Sequence, residues 1–403
     1  VAELNITDPM VVVGAGMAGA QAALALRQGG WRGPIALVGE ESHPPYDRPP
    51  LSKDVLLGKR DSTELDIDWQ HLGIELLQGR RATAVTPGVL HTESGELPYG
   101  GLVIATGAAP IALPGSDGAR VLRTVDDALA LRARLVPGAR VVLVGAGWIG
   151  AETATVAREL GCEVTVVEAG PAPLAGALPA ELGALMADWY AGAGAELRCG
   201  TGVEAVEPGA VLLTDGTRLP ADEVVVGIGA RPATRWLAGS AVELDASGAV
   251  LVDGQLRTTA AGVWAAGDCV SYPSVRSGTR LSVQHWDHAL QSGRAVAASV
   301  LGTALGQGSG EPYDPVPYFW SEQFGRMVQY AGRHAEADQL LWRGSAQDPS
   351  WSVLWLREGR LVGMLSVDRP RDLSQARRLI AAGAVLDPAK AADLAVQLKA
   401  AVG

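Results

Sequence analysis

Two short apolar runs in this chain lead straight into glycine triplets of identical spacing. Met10-Val11-Val12-Val13 precedes Gly14-Ala15-Gly16-Met17-Ala18-Gly19, and Val141-Val142-Leu143-Val144 precedes Gly145-Ala146-Gly147-Trp148-Ile149-Gly150. Farther on, a second apolar run ends in an acid each time. Ile35-Ala36-Leu37-Val38-Gly39 leads to Glu40, and Val164-Thr165-Val166-Val167 leads to Glu168. One glycine triplet says little. Strand, glycine turn, helix, strand and acid in that order, found twice, specify two dinucleotide-binding units. The first glycine permits the sharp turn, the second lets a pyrophosphate approach, and the third lets the helix pack against its strand. The phosphates meet free amides and the positive end of the helix dipole, so no basic residue is required. The acid accepts hydrogen bonds from a ribose.

Two such sites on one chain imply two redox carriers and an electron-transferring flavoenzyme. Ala169, Gly170 and Pro171 follow Glu168, with no Arg or Lys for a 2′-phosphate, so the second site is expected to take NADH rather than NADPH.

The 403 residues allow two or three domains, and 48% hydrophobic with 19% charged residues describes a globular chain. A net charge of −11 argues against nucleic acid or an anionic membrane as partner. The acidity lies before Pro312; beyond it the charge is nearly balanced, and Arg369–Arg371 and Arg377-Arg378 could face an acidic protein or simply solvent. Cys162, Cys199 and Cys269 are scattered without metal-ligand spacing, so no metal and no dithiol relay is expected. With no secretory signal or membrane-length apolar run, the reading is cytoplasmic; Val1 suggests an altered native terminus.

The fold class is α/β: two Rossmann-like dinucleotide-binding domains, for FAD and NAD, plus a C-terminal α+β domain. The flavin domain is expected at 1–109 and 233–311, because the strand-like Gly262–Asp268 and helical Asp287–Leu301 have no place in the second sheet. The NAD domain takes 110–232, with 123–127 crossing over, and its Asp215-Gly216 reads as a hairpin turn. Gly306–Gly310 reads as a flexible connector. Residues 312–403 form the last domain, with β-like Met327–Ala331, Trp351–Leu356 and Leu361–Val367, then helical Asp372–Ala382 and Ala389–Ala401.

Pro49-Pro50-Leu51-Ser52-Lys53, Ala105-Thr106-Gly107, Gly227-Ile228-Gly229-Ala230-Arg231-Pro232, Ala266-Gly267-Asp268 and Pro317-Tyr318-Phe319-Trp320-Ser321-Glu322-Gln323 are more specific. Through them essentially the whole chain resembles the NADH-dependent ferredoxin reductases that serve haem monooxygenases and aromatic-ring dioxygenases, within the glutathione-reductase-like flavoproteins. The resemblance implies that Gly14, Gly16, Ala18 and Gly19 meet the FAD pyrophosphate and Glu40 its ribose. Arg48, Ala82, Thr106, Gly107, Arg123, Asp268, Trp286 and Trp320 would also contact FAD. Gly145, Gly147, Ile149, Gly150, Glu168 and Gly229 would hold NADH. Lys53, beside the reactive flavin edge, and Glu152, near the nicotinamide, would form the catalytic pair; a fixed cation there stabilises the electron-rich reduced flavin.

The implied partner is a small acidic two-iron ferredoxin, and through it an oxygenase. Rubredoxin reductase, an NADH oxidase and a redox-sensing protein resembling apoptosis-inducing factor are the alternatives. Against the oxidase, Glu40–Lys53 contains Ser42 and no cysteine. Trp148 is bulky for the nicotinamide-side turn. Gln284 and His288 stand where many relatives have Glu and Asn, and His285 and His288 read as packing or surface residues.

Overall fold

A computed structural model describes residues 4–116, 118–307 and 310–403. Its α-helices are α1 (Met17–Gln28), α2 (Val125–Arg132), α3 (Trp148–Glu159), α4 (Ala180–Gly192), α5 (Trp286–Ala304), α6 (Pro370–Ala381) and α7 (Pro388–Ala392). The chain divides into two compact units. Unit 1 gathers the residues up to Asp47 with Ser62–Ala109 and Ala230–Pro315; unit 2 gathers Arg48–Asp61, Pro110–Gly229 and Val316–Gly403.

Unit 1 is built on a parallel sheet in the order Val263–Ala265, Gly101–Ile104, Met10–Val13, Ile35–Val38, Ile74–Leu77. Met10–Val13 is buried along its whole length, which is why it reads as a continuous apolar run rather than an alternating one. α1 and α5 pack tightly together: a Cβ at Gly293 would lie 2.4 Å from the Ala18 carbonyl oxygen, so a side chain there would force them apart. The α5 segment extends one residue earlier and three later than Asp287–Leu301, because His285 supplies the extended N-cap and the apolar stripe continues past Val300. Ala82–Thr86, Val89–Thr92 and Gly95–Pro98 form a small antiparallel excursion.

Unit 2 repeats the parallel plan with Glu196–Cys199, Glu163–Glu168, Arg140–Val144 and Glu223–Val226 in that order. Its antiparallel excursion, Val203–Glu207, Ala210–Leu213 and Arg218–Pro220, has Asp215-Gly216 in the last connection. Unit 2 also carries an antiparallel sheet ordered Tyr318–Gln323, Arg326–Gly332, Arg360–Val367, Trp351–Arg357, Gln339–Arg343. On one face α6 buries Leu373, Ala376 and Ile380 against Leu354, Leu356 and Met364. Each large aliphatic side chain so buried contributes roughly 1.5–3 kcal/mol.

The continuous helix expected over Ala389–Ala401 is not formed. α7 stops at Ala392, and only a 3-10 turn, Leu398–Ala401, follows. Buried Arg343 donates to the carbonyls of Ala391, Asp393 and Val396, while the Asp393 carboxylate accepts the Ala395 amide. Those tertiary bonds outweigh the helix propensity of an alanine-rich segment. Gly308 and Ser309 of the expected connector lie outside the described residues.

Candidate functional site

The two glycine turns have the same steric logic. In unit 1, Gly14 has φ +108°, and a Cβ there would lie 2.1 Å from the Ala105 carbonyl oxygen. A Cβ at Gly19 would lie 1.9 Å from the Gly14 carbonyl, whereas Gly16 has nothing within 4 Å. In unit 2, Gly145 has φ +101° with the Gly227 carbonyl 2.5 Å from its would-be Cβ, and Gly150 stands 2.0 Å from Gly145 in the same sense. Gly147 meets nothing nearer than 3.9 Å. Outer glycines are thus dictated by backbone contact, and each middle glycine by the space in front of it. Gly16 and Gly147 are also the N-caps of α1 and α3, and neither helix start is capped by a side chain. Their first amides are therefore available to an anion.

The acids behave differently. Glu40 is exposed and accepts from Arg81 Nε at 3.0 Å. Glu168 folds back over its own turn, accepting the Ala146 and Gly170 amides at 2.7 Å each. Exposed Ile149, in the first turn of α3, leaves apolar surface beside the second glycine turn, and Ile228 approaches Gly145. Gly229 has φ +111° and accepts the Ile111 amide.

Lys53 and Glu152 come together. The Lys53 ammonium is 2.7 Å from Glu152 Oε2 and also donates to the Pro49 carbonyl at 3.3 Å. Glu152 lies in α3 and is only 4% exposed. Ser52 and Ser321 donate to its two oxygens. Neither serine gains a role on sequence grounds, although each lies inside one of the five motifs that carry the resemblance; the 169 residues separating Ser321 from Glu152 hide the pairing. Arg48, ahead of the 3-10 turn Pro49–Ser52, donates to the Arg123 carbonyl at 2.6 Å. Arg123 directly precedes the Thr124–Asp127 capping box of α2. Trp320 lies within the strand Tyr318–Gln323, stacked on Tyr318, whose ring also carries Arg377 at 4.2 Å. Trp148 packs edge-on against Phe319 at 4.5 Å.

In unit 1, the Thr106 hydroxyl is buried without a hydrogen-bond partner, next to Gly107 with φ +69°. Half-buried Asp268 sits in the 3-10 turn Gly267–Cys269, and Ala82 opens its strand. Trp286, the first residue of α5, donates its indole N–H to Asp47 at 2.5 Å. His288 is buried beneath that turn; Nε2 donates to the Gly267 carbonyl at 3.2 Å and Nδ1 accepts from the Tyr313 hydroxyl at 2.9 Å. Burial pushes its imidazole down to about 4, so it is neutral in the fold. His288 is a packing residue. Burial likewise raises the Cys269 thiol to about 11.

An open middle glycine, an uncapped helix start and the unpartnered Thr106 hydroxyl fit a phosphate-bearing dinucleotide in unit 1; unit 2 offers the first two of these features. Among the described residues no cluster of His, Cys, Asp and Glu is arranged to hold a metal, and no helix is long and apolar enough to cross a membrane.

The pyridine nucleotide-disulphide oxidoreductase family matches residues 8–293, and the reductase C-terminal family matches residues 318–402. The ferredoxin reductase subunit of 5,5'-dehydrodivanillate O-demethylase from Sphingobium is 37% identical, covering 96% of this chain and 97% of its own. The chain belongs to the ferredoxin reductase family of pyridine nucleotide-disulphide oxidoreductases. Putidaredoxin reductase from Pseudomonas putida is another relative, 31% identical over 98% of this chain and 97% of its own. Among solved structures, the Fdr9 crystal structure has a TM-score of 0.91 at 44% identity, covering 97% of this chain and 99% of that one. The reductase in the covalent putidaredoxin reductase–putidaredoxin complex has a TM-score of 0.92 at 31% identity, covering 97% of each chain. This ferredoxin reductase family member is accordingly an oxidoreductase of pyridine nucleotides.

Proposed function

We propose that this chain is an NADH-dependent, FAD-containing reductase that supplies a two-iron ferredoxin feeding a haem monooxygenase or an aromatic-ring dioxygenase. The observation carrying this reading is the pair of sterically matched glycine turns on separate parallel sheets, in a chain aligned almost end to end with ferredoxin reductases. An FAD held by these residues would supply a two-electron acceptor able to pass electrons on singly.

The residues divide the work. In unit 1, Gly14, Gly16, Ala18 and Gly19 present the α1 amides to the FAD pyrophosphate; Glu40 binds the ribose, and Ala82, Thr106, Gly107, Asp268 and Trp286 complete the seat. Arg48, Arg123 and Trp320 are assigned to FAD as well. Gly145, Gly147, Ile149, Gly150, Glu168 and Gly229 bind NADH. A 2′-phosphate would meet the Glu168 carboxylate, so NADPH is disfavoured. Lys53, held by Glu152, supplies fixed positive charge for the reduced flavin. Cys162, Cys199 and Cys269 are all free and take no part, which separates this reading from thiol-dependent oxidases; free thiols also suit the cytoplasm.

The test is NADH-driven cytochrome c reduction by the purified yellow protein, with and without two-iron ferredoxins. Strong ferredoxin stimulation is the expected result. Failure of every ferredoxin to stimulate, with oxygen alone consuming NADH rapidly, overturns the assignment.

A further inference from the structure

A carboxylate at 4% exposure is costly unless its lone pairs are answered, and those of Glu152 are answered from two distant stretches of chain. Oε2 takes the Lys53 ammonium at 2.7 Å and the Ser52 hydroxyl at 2.5 Å. Oε1 takes the Ser321 hydroxyl at 2.6 Å. Gln323 Nε2 in turn donates to Ser321 Oγ at 3.1 Å, which leaves the Ser321 proton directed at the carboxylate. Ser321 and Gln323 are two residues apart on one strand, fully buried and on the same face, while Trp320 and Glu322 face the other way.

We propose that Ser321 and Gln323, with Ser52, are positioning residues that fix the Glu152 carboxylate in one orientation and thereby hold the Lys53 ammonium at one point for hydride transfer. The inference rests on the reading of Lys53 and Glu152 as the pair at the hydride site. Ion pairing alone does not fix Lys53, whose flexible stem allows the ammonium to reach either carboxylate oxygen. Ser321 on Oε1 and Ser52 on Oε2 fix the plane of the carboxylate, and the ammonium settles on Oε2. Without the Ser321 hydroxyl, Oε1 becomes a buried acceptor with no donor, the carboxylate can turn, and the ammonium gains a second place to rest.

The experiment is anaerobic stopped-flow reduction of the FAD-loaded protein by NADH, joined to infrared spectra of the Glu152 carboxylate stretching band and measurement of the flavin midpoint potential. Ser321→Ala is expected to slow reduction about tenfold, to shift the carboxylate band, and to shift the potential. Ser321→Thr restores all three, and Gln323→Leu gives a smaller shift of the same sign. Thr155→Val is the control: it removes the α3 hydroxyl that accepts the Phe324 amide at 3.0 Å, a tie to the same strand's turn that does not touch Glu152. Its rate, carboxylate band and potential should match the parent; a change equal to that of Ser321→Ala means general loosening and overturns the proposal.

A Ser321→Ala protein that folds and keeps the parental rate, carboxylate band and potential also overturns it. Should that variant not fold, Gln323→Leu and Ser52→Ala carry the same test. Glu152→Gln separates the two levels. If it leaves flavin reduction unchanged, the reading of the Lys53–Glu152 pair fails; if it slows reduction while the serine variants do nothing, only the positioning role fails.

Discussion

In the first glycine turn the acid ending the second strand, Glu40, reaches outward and pairs with Arg81 at 3.0 Å. In the second turn Glu168 folds inward and takes two turn amides at 2.7 Å. The glycines themselves are interchangeable in role, since both turns are squeezed at their outer glycines and open at the middle one. Backbone sterics therefore shape both turns alike, and the acid decides how stiff each turn is on its own. Glu168 makes charge-assisted bonds, each worth about 1.5–3 kcal/mol when formed with an ionised partner. Glu40 makes a surface ion pair, worth little after solvent screening.

The comparison breaks most visibly at the outer glycines. Gly14→Ala drives a Cβ into the Ala105 carbonyl and should give a colourless protein, read from the ratio of flavin to protein absorbance. Gly145→Ala should keep the yellow colour but lose reduction by NADH, while dithionite still bleaches it. If Gly145→Ala also lost the yellow colour, the two seats would not be separable.

Acid should weaken unit 1 through a feature of its own. His288 titrates near 6.5 when unfolded but at about 4 in the fold, so the unfolded chain binds the proton first as pH falls. Its contribution is complete above pH 6.5 and drains away toward pH 4, by about 3 kcal/mol in all. His285 is lowered to the same value by burial and adds in the same sense. Chemical denaturation between pH 7 and 4.5 should therefore show a steeper loss for the parent than for His288→Asn.

The acids give smaller effects. Glu168→Ala should weaken NADH binding about 10- to 100-fold and narrow the preference over NADPH, both measurable by titration of the oxidised protein with the nicotinamides. Glu40→Ala should cost only a few-fold in FAD retention, seen in dialysis. Equal losses at the two acids would erase the distinction between an outward and an inward carboxylate.

The parallel strands and glycine turns were legible because buried parallel strands are apolar throughout and the turns tolerate only glycine at fixed positions. Gly14, Gly19, Gly145 and Gly150 all sit where a Cβ would strike backbone. The Lys53–Glu152 pair became visible through resemblance to a family. Ser52, Ser321 and Gln323 did not gain roles, because a hydrogen bond across 100 or 169 residues leaves no local period. The alanine-rich tail misled for a related reason: Arg343, far earlier in the chain, claims the carbonyls a continuing helix would use. Asp47 was missed as the partner of Trp286 across 239 residues.

The edge strand Val263–Ala265 pairs with Gly101–Ile104, and α5 packs against α1 through Gly293, although the intervening sequence includes the whole second parallel sheet. On the ribosome, that inserted sheet emerges complete while its host still lacks an edge and a helix. Synthesis thus favours maturation of the inserted sheet first, with the host sheet closing only after Gly293 has cleared the exit tunnel. A nascent chain arrested before α5 should resist protease across 140–226 while the opening βαβ segment is still cut.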